Sequence, residues 1–245
     1  MSNSAAKLQL FLHISKKKCT FAPQKSHETM KLVFASNNAH KLQEVRAIMP
    51  EGIEVLSLRE VGFCAEIEEN GRTLEENSQI KADVVWKYLE SNRASLPASI
   101  DGVFADDTGL EIDALHGEPG VYTARWYKMP TPSLPVGKES LSEGEIFHAN
   151  RSKALRELEG KSDRGAQFRT VITLIRGPKT LQVEGVVRGK IAEKESGNGG
   201  FGYDPVFIPE GHDCTFAEMS EAEKNAISHR GRALQELVKC LEFSV

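Results

Sequence analysis

The chain has 245 residues, enough for one large α/β domain with a sizeable core. Its 40% hydrophobic and 27% charged residues are ordinary for a globular protein, and a net charge of -4 excludes a surface that is basic throughout, as wrapping nucleic acid would need. No apolar run is long enough to span a membrane, and Cys19, Cys64, Cys214 and Cys240 form neither a C-x-x-C pair nor a zinc-ligand spacing with histidine, which suits idle thiols in a reducing, cytoplasmic compartment.

Residues 1–29 carry Lys7, Lys16, Lys17, Lys18 and Lys25 against the single acid Glu28. The apolar stretch Leu8–Ile14 is too short for a secretory signal, and the segment lacks the arginines of a transit peptide. A disordered extension is expected there, before a domain over residues 30–245. Lys31–Ala35 reads as a strand feeding a loop, and Leu42, Val45, Ile48 and Met49 follow at helical spacing until Pro50 and Gly52. Ile53–Ser57 looks like a second strand. Thr73 and Glu76 form a capping box before a helix with Ile80, Val84 and Tyr88 on one stripe and Asn77 and Lys81 on another. Gly102–Ala105 is an apolar strand ending at Asp106 and Asp107, and Gly109–Ala114 a further short strand. Residues 129–145, with Pro130, Pro132 and Pro135, read as a loop or insertion before a helix over Ile146–Leu158. Phe168–Ile175 and Leu181–Ile191 form a hairpin around Gly177-Pro178. Ser220 and Glu223 cap a final helical region with Leu234, Leu237, Val238 and Leu241. Alternating strands and helices followed by a strand pair predict an α/β fold with a mixed sheet.

Five stretches could carry chemistry. Ser36-Asn37-Asn38-Ala39-His40-Lys41 sits at a strand-to-helix junction, where free backbone N–H groups and the helix dipole suit phosphate. Taken alone, the stretch is better read as a plain Ser/Asn cap beside a solvated lysine. Glu68-Glu69-Asn70-Gly71 precedes Asn77 and Lys81, four apart and on one helix face. It is either a solvated acidic loop or one wall of a phosphate–metal site. Asp106 and Asp107 repel each other unless something neutralises them; a hard cation such as magnesium does so, and an Asp-Gly turn is the alternative. Gly197–Asp204 places Phe201 and Tyr203 inside a glycine loop, which offers ring faces to a flat ligand. Lys224, Ser228, His229 and Arg230 supply donors for a ring carbonyl or a phosphate, or else a polar helix surface.

Together the stretches ASNNAHKLQEV, EENGRTLEENSQIKA, FADDTGLEIDALHGEPGVYTAR, GNGGFGYDPVF and EAEKNAISHRGRAL, in order over about residues 31–240, resemble the inosine/xanthosine triphosphate pyrophosphatase family. The resemblance implies an elongated central mixed sheet flanked by helices, two lobes with an active-site groove between them, and a homodimer. It implies Mg²⁺-dependent hydrolysis of non-canonical purine triphosphates (ITP, dITP, XTP) to the monophosphate and pyrophosphate. Carried over, Ser36, Asn37, Asn38, Ala39, His40 and Lys41 match the triphosphate loop. Glu68, with Glu69 beside it, matches the acidic metal ligand, and Lys81 a lysine aimed at the phosphates. Asp107 matches the catalytic carboxylate and metal ligand, with Asp106 adjacent. Thr108 keeps the hydroxyl of the serine usual in bacterial members. Phe201, Gly202, Tyr203 and Asp204 match the base loop, and Lys224, His229 and Arg230 the base-reading residues. Residues 1–29 have no counterpart in short bacterial members, and residues 129–145 are longer than usual near the dimer contact. Nucleic acid and membrane are not expected partners. A pyrophosphatase for other modified nucleotides, or a non-catalytic nucleotide sensor, are the alternative readings.

Overall fold

The computed structural model describes residues 29–96, 99–129 and 141–242. Residues 1–28 of the expected extension, and 130–140 of the expected insertion, lie outside the described residues. β1 (Met30–Phe34) leads into α1 (Ala39–Ile48), then β2 (Ile53–Ser57) and α2 (Leu74–Ser91). β3 (Gly102–Ile112), β4 (Pro119–Gly120), α3 (Glu143–Glu157), β5 (Gly165–Arg176) and β6 (Lys179–Ile191) follow. β7 (Phe207–Pro209), α4 (Glu221–Ile227) and α5 (His229–Glu242) complete the order. The sheet runs β2-β1-β3-β5-β6-β7, with β4 paired to β3. β1 is parallel to β2 and β3, and β3 turns antiparallel against β5. The expected mixed α/β sheet is thus present.

Buried side chains form three apolar clusters. Leu32, Phe34, Phe104 and Ile172 pack against Leu234 and Leu237 of α5 on one face of the sheet. Val33, Val103, Ala105 and Ile175 pack against Ala82, Val85 and Leu89 of α2 on the other. The third, around Phe168, Phe207, Phe216 and Trp126, lies toward β7 and α3. Strand alternation explains the division, since odd and even positions of β3 point to opposite faces.

Four expectations change. β3 does not stop at Ala105: it pairs with β5 through Asp106↔Ile172 and Asp107↔Val171 as far as Ile112, absorbing the separate short strand. Ladder hydrogen bonds from β5 satisfy this backbone, so no turn is needed. On α2 the buried face carries Asn77, Ser78 and Lys81 beside Ala82, Val85 and Leu89, whereas Val84 is exposed. The polar stripe faces inward because Ser78 Oγ donates to the Ala105 carbonyl and Lys81 pairs with Asp107. The final helical region is two helices. Ser228 stands between them in extended conformation and its hydroxyl accepts from the Gly231 N–H, so it does not share a helical face with Lys224. α3 also starts earlier than expected, at a Ser142–Glu145 capping box.

Candidate active site

A cleft of about 370 Å³ lies against β3 and β5. One wall comes from the β1–α1 junction, the acidic loop and α2, and the other from Val121–Arg125, α3 and the glycine loop. At the β1–α1 junction, Asn38 is the helix N-cap and its side chain accepts from the Lys41 N–H. Ser36, Asn37, Asn38 and Lys41 all line the cleft. Ala39 and His40 form the first helical turn, and the His40 ring stacks on Phe201 at 5.2 Å between centroids.

Lys41 Nζ reaches Asp106 Oδ1 at 2.9 Å. Burial pushes the Lys41 ammonium below its ordinary range, and Asp106 only partly reverses this. Asp106 also accepts from Arg230 Nη2 at 3.0 Å and is 1% exposed. Burial raises its carboxyl, but Lys41 and Arg230 outweigh that and hold it well below the usual range. Asp107 faces α2. Lys81 Nζ donates to it at 2.9 Å, and Asn77 Nδ2 lies at 3.4 Å. Burial raises the Asp107 carboxyl more than Lys81 lowers it. The Lys81 ammonium, itself opposed by burial, is held above its ordinary range by Asp107 and Glu69. Two adjacent carboxylates are therefore neutralised separately, by different cations on different faces.

Glu68 and Glu69 are both exposed, but only Glu69 lines the cleft, 3.3 Å from Lys81. The ion pair with inward-facing Lys81 draws in Glu69 and leaves Glu68 to solvent. Lys81 thus bridges Glu69 and Asp107. Across the mouth, Arg125 Nη2 approaches the Glu69 carbonyl at 3.4 Å.

At the far end, Lys224 Nζ lies 2.6 Å from both Glu44 Oε1 and Asp204 Oδ2 and stands 5.0 Å from the Phe201 ring centre. Asp204 Oδ2 accepts from the Phe201 N–H at 2.8 Å, and Gly200, at φ 66°, leaves no room for a Cβ beside that carboxylate. Burial pushes Asp204 up despite Lys224. Arg230 is clamped between Asp106 and Glu44, which keep it charged although burial opposes this. Thr108 Oγ1 lies 3.3 Å from Arg230 Nη2 and 2.8 Å from Thr170 Oγ1, and Thr170 lies 2.6 Å from His229 Nδ1. Burial, then the charges of Arg230 and Lys224, push His229 well below its ordinary range, so the ring is neutral. Tyr203 is buried and its hydroxyl donates to the Thr123 carbonyl. Gly185 lets α5 seat this group: a Cβ there would meet the His229 carbonyl at 2.1 Å.

The expected residues therefore converge, except Glu68 at the surface and Ala39, His40 and Asp106, which stand outside the lining. Glu44, Thr170, Arg125 and Phe147 join the site although the sequence did not single them out. Glu44 had a signal, since it lies three residues after Lys41 on α1; Thr170 had none, because its role depends on strand register. Among the described residues no three His, Cys, Asp or Glu side chains converge on a metal site. Four acidic residues, Glu66, Glu69, Asp107 and Asp204, line the cleft, and the two that share Lys81, Glu69 and Asp107, fit a hard cation that takes further ligands from phosphate and water.

The cleft thus sets ammonium and carboxylate groups at one end and an aromatic ring with polar donors at the other. The chain belongs to the Ham1 family, whose profile matches residues 32–240. It is 42% identical over 212 residues to a dITP/XTP pyrophosphatase of Flavobacterium johnsoniae, covering 86% of this chain and 98% of that one. It is 43% identical over 214 residues to a dITP/XTP pyrophosphatase of Bacillus subtilis, covering 86% and 96%. Among solved structures it is similar to the Staphylococcus aureus Ham1 protein, with a TM-score of 0.70 and 35% identity over 88% of this chain and 100% of that one. A HAM1 protein from Coxiella burnetii gives a TM-score of 0.71 and 36% identity over the same shares. No helix among the described residues is long and apolar enough to cross a membrane.

Proposed function

We propose that the enzyme hydrolyses non-canonical purine nucleoside triphosphates, ITP, dITP and XTP, to the monophosphate and pyrophosphate. The observation that supports this most directly is a single cleft holding Lys41, Lys81 and Asp107 at one end and Phe201, Lys224 and His229 at the other. The names of the relatives agree with it.

The triphosphate lies along Ser36–Lys41, where backbone N–H groups and the Lys41 ammonium meet its charge. Glu69 and Asp107 would hold Mg²⁺, which when bound draws charge off the phosphate oxygens. Lys81 stabilises the departing pyrophosphate. Asp107 takes the proton from the water that attacks the α-phosphorus. Asp106, saturated by Lys41 and Arg230, keeps those cations in place instead.

The base lies against Phe201. With the Thr170 hydroxyl donating to His229 Nδ1, the neutral imidazole carries its proton on Nε2, a donor suited to a 6-oxo group. Adenine, with a 6-amino group, leaves such a donor unpaired at a cost of about 1–3 kcal/mol. The enzyme is a homodimer in this reading, as the family resemblance implies, and cytoplasmic, which its free cysteines Cys64, Cys214 and Cys240 suit. Pyrophosphate release from ITP, XTP, dITP, GTP and ATP, with and without Mg²⁺, tests it. ITP and XTP are expected to lead; equal efficiency for GTP and ITP refutes the base selectivity.

A further inference from the structure

α3 contributes no group to the proposed chemistry, yet it braces the base end of the cleft. Phe147 stands 6.2 Å from Phe201 and 6.4 Å from His40 between ring centres. Arg151, one turn later on the same helix face, reaches the glycine loop. Its Nη1 donates to the Gly202 carbonyl at 2.9 Å, and its Nε lies 2.9 Å from Glu195 Oε2. The second contact is an ion pair off hydrogen-bond geometry, so Nε is a buried nitrogen without an acceptor among the described residues. A guanidinium left partly unsatisfied is placed for geometry more than for stability.

Gly202 is the peptide between Phe201 and Tyr203. It adopts φ 61°, and nothing lies within 4 Å of where its Cβ would be, so side-chain packing does not hold it. Asp204 fixes the Phe201 N–H on one side of this peptide, and Arg151 fixes the Gly202 carbonyl on the other. The adjacent residue of α3, Asn150, ties the neighbouring segment of the same wall through the Ala124 carbonyl and the Tyr127 N–H. One helix therefore anchors both that segment and the glycine loop.

We propose that Arg151 is a positioning residue that sets where the Phe201 ring stands, and thereby how well the cleft discriminates among purine bases. The inference rests on the nucleotide reading given above. A charge-assisted bond to a carbonyl is stronger than a neutral one, and a guanidinium spans two partners that an ammonium cannot. Stacking and base-edge contacts depend on ring placement, whereas Lys41, Lys81 and Asp107 make no contact with Arg151. Loss of Arg151 should therefore separate base recognition from phosphate chemistry.

The test is steady-state kinetics of the full chain with Mg²⁺ on ITP and GTP, with inorganic tripolyphosphate as a base-free competitive inhibitor. R151A is expected to raise the KM for ITP about tenfold, the worth of one strong hydrogen bond, with kcat within about twofold. The preference for ITP over GTP should shrink and the tripolyphosphate Ki stay unchanged. R151K, which keeps one charged donor, should recover part of the loss. R151Q, which keeps the stem and a neutral donor, is measured beside R151A and decides the matter if the alanine variant does not fold. Unchanged KM in both variants, or a tripolyphosphate Ki that rises in step with KM, overturns the inference. A wild-type chain that releases pyrophosphate from no nucleotide overturns the parent reading and this one with it.

Discussion

Asp106 and Asp107 are neighbours in the chain but point to opposite faces of β3, Asp106 to Lys41 and Arg230 and Asp107 to Lys81 on α2. Two carboxylates that would repel each other side by side are each given separate partners. Asp106 is held by two cations behind the cleft lining, whereas Asp107 lines the cleft.

Substitution should expose the division. D107N is expected to fold normally and to lose nearly all pyrophosphate release; near-normal activity would sink its assignment as the base. D106N leaves Lys41 and Arg230 short of a buried partner, which should cost about 3–5 kcal/mol of stability. A melting temperature equal to wild type would show that Asp106 is dispensable as a counter-ion.

Acidification should destabilise the protein through His229. Its ring is held neutral in the fold, because burial and the charges of Arg230 and Lys224 push its pKa well below the ordinary 6.5. Below pH 6.5 the unfolded chain binds a proton that the folded chain refuses, so stability falls as pH drops through that value. Melting curves between pH 7.5 and about pH 5.5 should show a steeper decline in wild type than in H229Q. The raised carboxyls of Asp107 and Asp204 act with the opposite sign. Parallel curves for the two proteins would contradict the neutral-imidazole assignment.

Phe201 supplies the ring face. F201A removes a stacking surface worth about 1–3 kcal/mol, so the KM for ITP should rise roughly five- to a hundred-fold. The Ki of tripolyphosphate should not change. Loss of tripolyphosphate inhibition would place Phe201 in the phosphate end instead.

Gly185 controls the seating of α5. G185A forces a methyl group against the His229 carbonyl and the Ala233 N–H, at 2.1 and 2.4 Å. Overpacking of this kind costs about 1–3 kcal/mol. Thermal melting should register it, with a raised KM for ITP; a wild-type melting point would mean that the helix moves aside freely.

The two acidic neighbours provide a direct contrast. Chelation of Mg²⁺ by EDTA should abolish pyrophosphate release, and E69Q should raise the Mg²⁺ concentration needed for half-maximal rate. E68Q should leave it unchanged, since Glu68 faces solvent. The reverse order of effects would return the metal-ligand role to Glu68.

The capping patterns were legible because they act locally. Thr73 with Glu76, and Ser220 with Glu223, signal helix starts through bonds that span three residues. The β5–β6 hairpin around Gly177-Pro178 was legible for the same reason. Glu44 and Thr170 were not, because each becomes functional through a partner far away in sequence, Lys224 and Arg230 for one and His229 for the other.

By itself the sequence determined the alternation of strands and helices, the phosphate-loop junction, the glycine–aromatic loop and the family resemblance. These depend on local periodicity, caps and residue chemistry. Only the tertiary structure decided that β3 runs on through both aspartates, that Glu69 rather than Glu68 faces the cleft, and that Arg151 braces the base loop. Those outcomes depend on strand pairing, side-chain direction and long-range ion pairs. Such contacts are set by which elements pack together, and no spacing along the chain encodes them directly.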